Sequence, residues 1–220
     1  VVVWLKSSFR LHENPAIDLG RHIAAEHNRP LLIYHGIDER YPHASLRHHT
    51  MLLDAAVDMD EGCRKAGLRY VLHVAREGHR SSVMKAFSQS ASCIITDLFP
   101  LPPWTNWVDS IAASAACPVF DVDCHCVIPM PLFGKSVDRP YKFRDATKKM
   151  RKKRLQATWP TIDVRPEAYT GSLPFEPVNV NEDIKNLSKR FELLSKCSID
   201  PSVLPVWHER GGEKEALSKW

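Results

Sequence analysis

The chain has 220 residues, a formal net charge of +4, 44% hydrophobic residues and 25% charged residues. These globular proportions exclude wholesale disorder, collagen and coiled coil. The length allows one domain of about 150 residues plus an extension, or two domains, and no apolar run approaches the roughly 20 residues of a transmembrane helix.

Val1–Leu5 (VVVWL) is a β-branched run bounded by polar residues, read as a buried strand. It shows no initiator methionine and no signal-peptide features, so a piece of a longer chain is expected. A helix follows from Asn14, with Pro15 suited to its first turn. Pro30 introduces a second strand, LLIYHGI, and Ala44–Ala66 reads as an amphipathic helix with Leu46, Leu53, Ala56, Val57 and Cys63 on one stripe. Arg69–Val74 is strand three, Ser81–Ser90 a helix, Ser92–Asp97 strand four, Trp104–Ala115 a helix and Pro118–Asp123 strand five. Alternating strands and helices imply a parallel sheet covered on both faces, because parallel strands need right-handed crossovers. The expected fold is α/β: a five-stranded parallel Rossmann-like sheet in the order 3-2-1-4-5. Its ligand crevice should lie at the strands' carboxyl ends, at the switch point between strands one and four. After Pro129 the alternation stops. A basic helix, Tyr141–Leu155, is followed by a Pro-containing stretch, Ala157–Pro177, expected to lie ordered on the α/β domain through Trp159, Tyr169 and Phe175. A short helix over about Asn181–Lys196 precedes a second loop.

Neither GxGxxG nor GxxxxGK[ST] occurs, which disfavours a common dehydrogenase or P-loop enzyme. Cys124-His125-Cys126 invites a metal reading, but single-residue spacing points ligands alternately, and no CxxC or HxxxH lies nearby. His48-His49 sits in the long helix, where a solvated or cap-satisfied pair is expected over a catalytic one. The six cysteines lack the density of a disulfide scaffold, which fits an intracellular, reducing compartment. Residues 142–154 hold eight basic residues and one acidic, leaving the rest of the chain net acidic. Lys148, Lys149, Arg151, Lys152, Lys153 and Arg154 are therefore candidates for contact with a DNA backbone, the alternative being a solvated helix face.

Five ordered segments together resemble the amino-terminal α/β domain of the DNA photolyase/cryptochrome family. These are VVVWLKSSFRLHENPAI (1–17), TDLFPL (96–101), VDCHCVIP (122–129), PYKFRDATKK (140–149) and WHERGGEKEAL (207–217). Weaker features lean toward the class II photolyases. The resemblance implies an α/β domain over 1–130, a basic helix and interdomain linker over 131–205, and the start of a helical FAD-binding domain over 206–220. It further implies a light-driven, FAD-dependent DNA photolyase that repairs cyclobutane pyrimidine dimers as a monomer on damaged DNA, with FAD and the catalytic residues outside these 220 residues. A cryptochrome-like blue-light photoreceptor and an isolated nucleotide-binding α/β module are the competing functions.

In that family a deazaflavin or folate antenna can sit at the strand ends, where Lys6, Ser7, Arg10, Asp97 and Phe99 would line the cleft. Many relatives carry Arg-Arg-Asp in the first loop, where this chain has Lys6-Ser7-Ser8. Weak or absent antenna binding is accordingly expected, with Arg10 facing Asp97 across the switch point or pairing with Glu13.

Overall fold

The computed structural model describes residues 1–206 and 208–220. Five strands, β1 (Val2–Leu5), β2 (Leu32–Ile37), β3 (Arg69–Val74), β4 (Ile94–Asp97) and β5 (Val119–Val122), form one sheet in the order β3-β2-β1-β4-β5. Every pairing is parallel. The expected topology is the one observed.

The period-two alternation of strand side chains divides the core. Val3, Leu5, Ile33 and Ile95 point toward α1 (Pro15–Glu26) and α2 (Leu46–Lys65), while Val2, Trp4, Tyr34 and Ile94 pack with residues of α3 (Val83–Ser90) and α4 (Trp104–Ala112). Gly20 lets α1 approach the sheet, since a Cβ there would stand 2.5 Å from Val3 Cγ2. Helix starts follow local chemistry: Asn14 Oδ1 accepts from the Ala16 and Ile17 amides, and the Ser45 side chain accepts from His48 N. The sheet is not covered evenly. At the edge strand β5, Phe120 is left 42% exposed.

Beyond β5 come the single-turn α5 (Met130–Phe133) and the basic α6 (Pro140–Gln156). The stretch 157–177 has no helix, yet it is bound to the domain. Trp159 Nε1 donates to Asp18 Oδ2 at 2.8 Å, Arg21 donates to the carbonyls of Ile162 and Val164, and the Leu31 and Tyr169 backbones pair. Phe175 packs among Tyr34, His73 and Phe87.

The helix expected near 181–196 is broken into a π-helical turn, Val180–Ile184, and α7 (Leu187–Ser195). Asn179 caps the start of the π turn, accepting from the Asn181 and Glu182 amides, and Asn186 marks the break, accepting from Lys189 N to restart the helix. Both pieces bury apolar residues against α2 and β3, among them Val180, Ile184, Leu193 and Leu194. Arg190 fixes α7 to α2 through Asp54 Oδ1 at 2.8 Å and the Thr50 carbonyl at 2.6 Å. The chain closes with α8 (Glu213–Lys219).

Candidate functional site

The first loop leaves β1 at the centre of the sheet and is held from below by the last residue of β4. Asp97 is fully buried, and its carboxylate accepts from Lys6 N (2.8 Å), Ser7 N (2.6 Å), Ser8 N (2.5 Å) and Ser7 Oγ (2.7 Å). Three of the four donors fall on Oδ2 and one on Oδ1, and all of them come from the first loop.

Arg10 donates neither to Asp97 nor to the Glu13 carboxylate. Its guanidinium donates to Ser8 Oγ (2.7 Å) and to the carbonyls of Cys124 (2.9 Å), His12 (3.1 Å) and Glu13 (3.2 Å). It stitches the first loop to the β5 exit. Asn14 completes the brace, donating to the Ser8 and Arg10 carbonyls while capping α1.

Lys6 lies on the opposite side of the loop, with its ammonium 3.8 Å from Asp121 and 5.1 Å from the centre of the Trp4 ring. Burial pushes the Lys6 ammonium below its ordinary pKa, against the pull of Asp97 and Asp121. Burial likewise raises the Asp121 carboxyl, with Lys6 opposing. Ser7 Oγ lies 3.0 Å from His125 Nε2, and Phe99 meets the same imidazole edge-on at 5.8 Å. Lys6, Ser7, Asp97 and Phe99 therefore gather at the switch point, whereas Arg10 is turned toward α1 and the β5 exit.

Sequence reasoning missed the aromatic wall above them. Trp104 stands at the start of α4, 4.7 Å from Phe99 and 5.3 Å from Tyr41, and Tyr41 packs on His48 at 5.0 Å. Loops after β2 and β4 are thus bridged by rings that pack on one another. Only the aromatic content of YPH (41–43) and LPPW (101–104) hinted at this, since their meeting is a tertiary event. Within the chain, the Asp97 carboxylate is engaged by the first loop and the rings of Phe99, Trp104 and Tyr41 pack on one another.

The paired histidines also differ from the expectation of a solvated or capped pair. His49 is fully buried and neither ring nitrogen has a partner among the described residues, because it shares the buried face of α2 with Leu52, Leu53 and Ala56. Burial, with a contribution from His48, lowers its pKa to about 4.

At the β5 exit, Cys124 is buried and Cys126 exposed, so the two thiols point apart. Burial pushes the Cys124 thiol up to about 12, which keeps it protonated. Among the described residues no group of three His, Cys, Asp or Glu is placed to hold a metal. The turn is ordered by Asp123, whose carboxylate accepts from the amides of His125, Cys126 and Met130 at 3.0 Å each. Burial raises this carboxyl, but the backbone bonds outweigh it and leave the pKa below its ordinary value.

The C-terminal segment clips onto the same loop. Glu213 accepts from Leu11 N (3.0 Å) and His12 N (2.7 Å), Asp54 accepts from Gly211 N (3.1 Å), and Asp58 accepts from Lys214 N (2.9 Å). Trp207, the first residue of the sequence match in this region, lies outside the described residues. The six basic candidates lie on α6, with Lys148, Lys149, Lys152, Lys153 and Arg154 exposed and Arg151 half-buried.

The chain is 28% identical over 130 residues to a deoxyribodipyrimidine photo-lyase of Methanothermobacter thermautotrophicus, a match covering 59% of this chain and 28% of that protein. It is 26% identical over 186 residues to a deoxyribodipyrimidine photo-lyase of Potorous tridactylus, covering 82% and 34%. The chain thus spans about a third or less of these relatives. Among solved structures, it superposes on a Synechocystis cryptochrome with a TM-score of 0.65 at 14% identity, covering 100% of this chain and 44% of that one. An archaeal photolyase from Sulfolobus tokodaii, solved with two FAD molecules and implying a novel light-harvesting cofactor there, gives 0.58 at 16% identity, covering 99% and 45%. These two likenesses establish the fold. The family model for DNA photolyase matches residues 1–167, the sheet, its braced switch-point loop and α6 included, and the chain belongs to the DNA photolyase family.

Proposed function

We propose that this chain is the α/β part of a light-driven DNA photolyase that repairs cyclobutane pyrimidine dimers, and that without further sequence it performs no repair. The observation that carries the reading is the family match over residues 1–167. It is supported by two relatives that are both photo-lyases, which favours repair over signalling. In this reading FAD, bound by sequence outside these residues, supplies the electron that opens the dimer.

The residues of this chain act by positioning. Asp97 fixes the first loop, Arg10 ties that loop to the β5 exit, and Glu213 holds the beginning of the following segment against the same loop. The cleft itself binds deazaflavin or folate weakly, because its carboxylate and aromatic groups already have partners within the chain. Six free cysteines, several with thiols raised by burial, suit a reducing compartment.

The test uses the complete polypeptide loaded with reduced FAD and an oligonucleotide carrying one thymine dimer. Light-dependent loss of the dimer is expected, with no loss in the dark or with the 220-residue chain alone. Persistence of the dimer under illumination, with reduced FAD shown to be bound, would refute the reading.

A further inference from the structure

Surface helices in this chain generally balance their charge within one turn. On α2, Arg64 pairs with Asp60 and Lys65 with Glu61, and at the end of α7 its C-cap residue Lys196 pairs with Glu192, all at i, i+4. Such pairs keep a face solvated while supporting the helix. The amino-terminal half of α6 follows the rule, with Lys142 on Asp138 and Arg144 on Asp145.

The carboxyl-terminal half breaks it. Lys148, Lys149, Lys152 and Lys153 occupy positions i, i+1, i+4 and i+5, which place them on one stripe, and all four are exposed. Among the described residues none of the four lies within 4.0 Å of a carboxylate. The 148/152 and 149/153 pairs are like charges one turn apart, and each costs the helix about 0.2–0.5 kcal/mol. The helix dipole favours cations in the last turn and so accounts for Lys153, but not for Lys148 and Lys149 a turn earlier.

The opposite side of α6 is anchored. Thr147 is buried there, and Arg154 Nε donates to the Val127 carbonyl at 2.6 Å. Arg154 is therefore a tether, and the half-buried Arg151 is set back, which narrows the six basic candidates to the four lysines. The apolar stripe that a membrane-lying helix needs is missing, since the exposed Tyr141, Phe143 and Leu155 sit toward the two ends of α6. Stripe and spacing suit a regular row of phosphates, as one turn rises about 5.4 Å along the axis.

We propose that the Lys148/Lys149/Lys152/Lys153 face of α6 docks on the phosphate backbone of duplex DNA without reading its sequence. The choice of DNA among polyanions rests on the function proposed above, but the docking itself needs neither flavin nor lesion. It would add affinity and orientation from a surface separate from the switch-point loop.

The test is fluorescence anisotropy of the chain with an undamaged DNA duplex, in the dark, between about 50 and 200 mM salt. Neutralising all four lysines (K148Q/K149Q/K152Q/K153Q) should weaken binding and reduce the slope of log affinity against log salt by about 3 to 4. Arginine at the same four positions should preserve both. The single variants K149Q and K153Q should each lower the slope by about 1, which keeps the question answerable should the quadruple variant misfold. An unchanged slope in the glutamine variants would overturn the proposal, as would binding of the parent chain to anionic vesicles but not to duplex DNA. Because light is excluded and the duplex is undamaged, a failure of dimer repair leaves this result untouched.

Discussion

At the scale of single residues, Asp97 is the most informative position. A buried carboxylate is costly unless hydrogen-bonded, and here three consecutive amides and a hydroxyl satisfy it. Asp97→Asn keeps the volume but turns an amide NH2 toward those donors, leaving some without an acceptor. We expect a loss of about 3 kcal/mol in unfolding free energy, seen as a lower urea midpoint with an unchanged m-value. A midpoint within error of the parent would show that the loop does not depend on this carboxylate. The sequence indicated that Asp97 belongs to the switch point, because it ends an apolar strand. It did not indicate the partners. Arg10 and Asp97 are complementary in charge, yet their orientation depends on how the first loop turns between them.

At the scale of elements, the capping and apolar periodicity that set α1 and α2 were legible in the linear order of residues. The π turn before α7 was not, because the apolar period of 181–196 carries through Asn186, whose side chain caps and restarts the helix. The docking of α8 is likewise a product of contact. Gly212 has φ +113°, and a Cβ there would lie 2.4 Å from Asp58 Oδ2. Gly212→Ala should therefore lift the start of α8 and release Glu213 from the first loop. Hydrogen exchange at the Leu11 and His12 amides should accelerate by at least about tenfold, equivalent to about 1.4 kcal/mol of lost protection. Unchanged exchange at those two amides would mean that Glu213 does not hold them.

At the scale of the whole molecule, two neutral histidines are built into the α2 side of the sheet. His35 is fully buried, with Nδ1 2.7 Å from the Tyr70 hydroxyl and its ring stacked on Phe9 at 4.1 Å. Burial lowers its pKa to about 3, and that of His49 to about 4. Both folded-state values lie below the ordinary 6.5, so the unfolded chain binds more protons between them and 6.5. Stability is then full above about pH 6.5 and falls as pH drops toward the folded values. At pH 5 each histidine accounts for a loss of about 2 kcal/mol. The melting temperature should fall between about pH 7.5 and pH 5, with the half-buried His48 and the buried His73 adding to the effect, and His49→Leu should remove part of that fall. A melting temperature insensitive to pH over this range would contradict the burial of both rings.

The sequence by itself determined the sheet and its order. Apolar runs of strand length separated by helical periods leave few right-handed, unknotted ways to bury both faces. It also located the basic stretch of α6, since charge density is a property of local composition. Tertiary structure alone decided which polar groups meet. His49 reads as solvated beside His48 until the sheet covers its face of α2, and the ring wall of Tyr41, Trp104 and Phe99 exists only because the loops after β2 and β4 converge on one end of the sheet. Burial and hydrogen-bond geometry depend on residues distant in the chain, whereas apolar period and charge run are already present in the order of the amino acids.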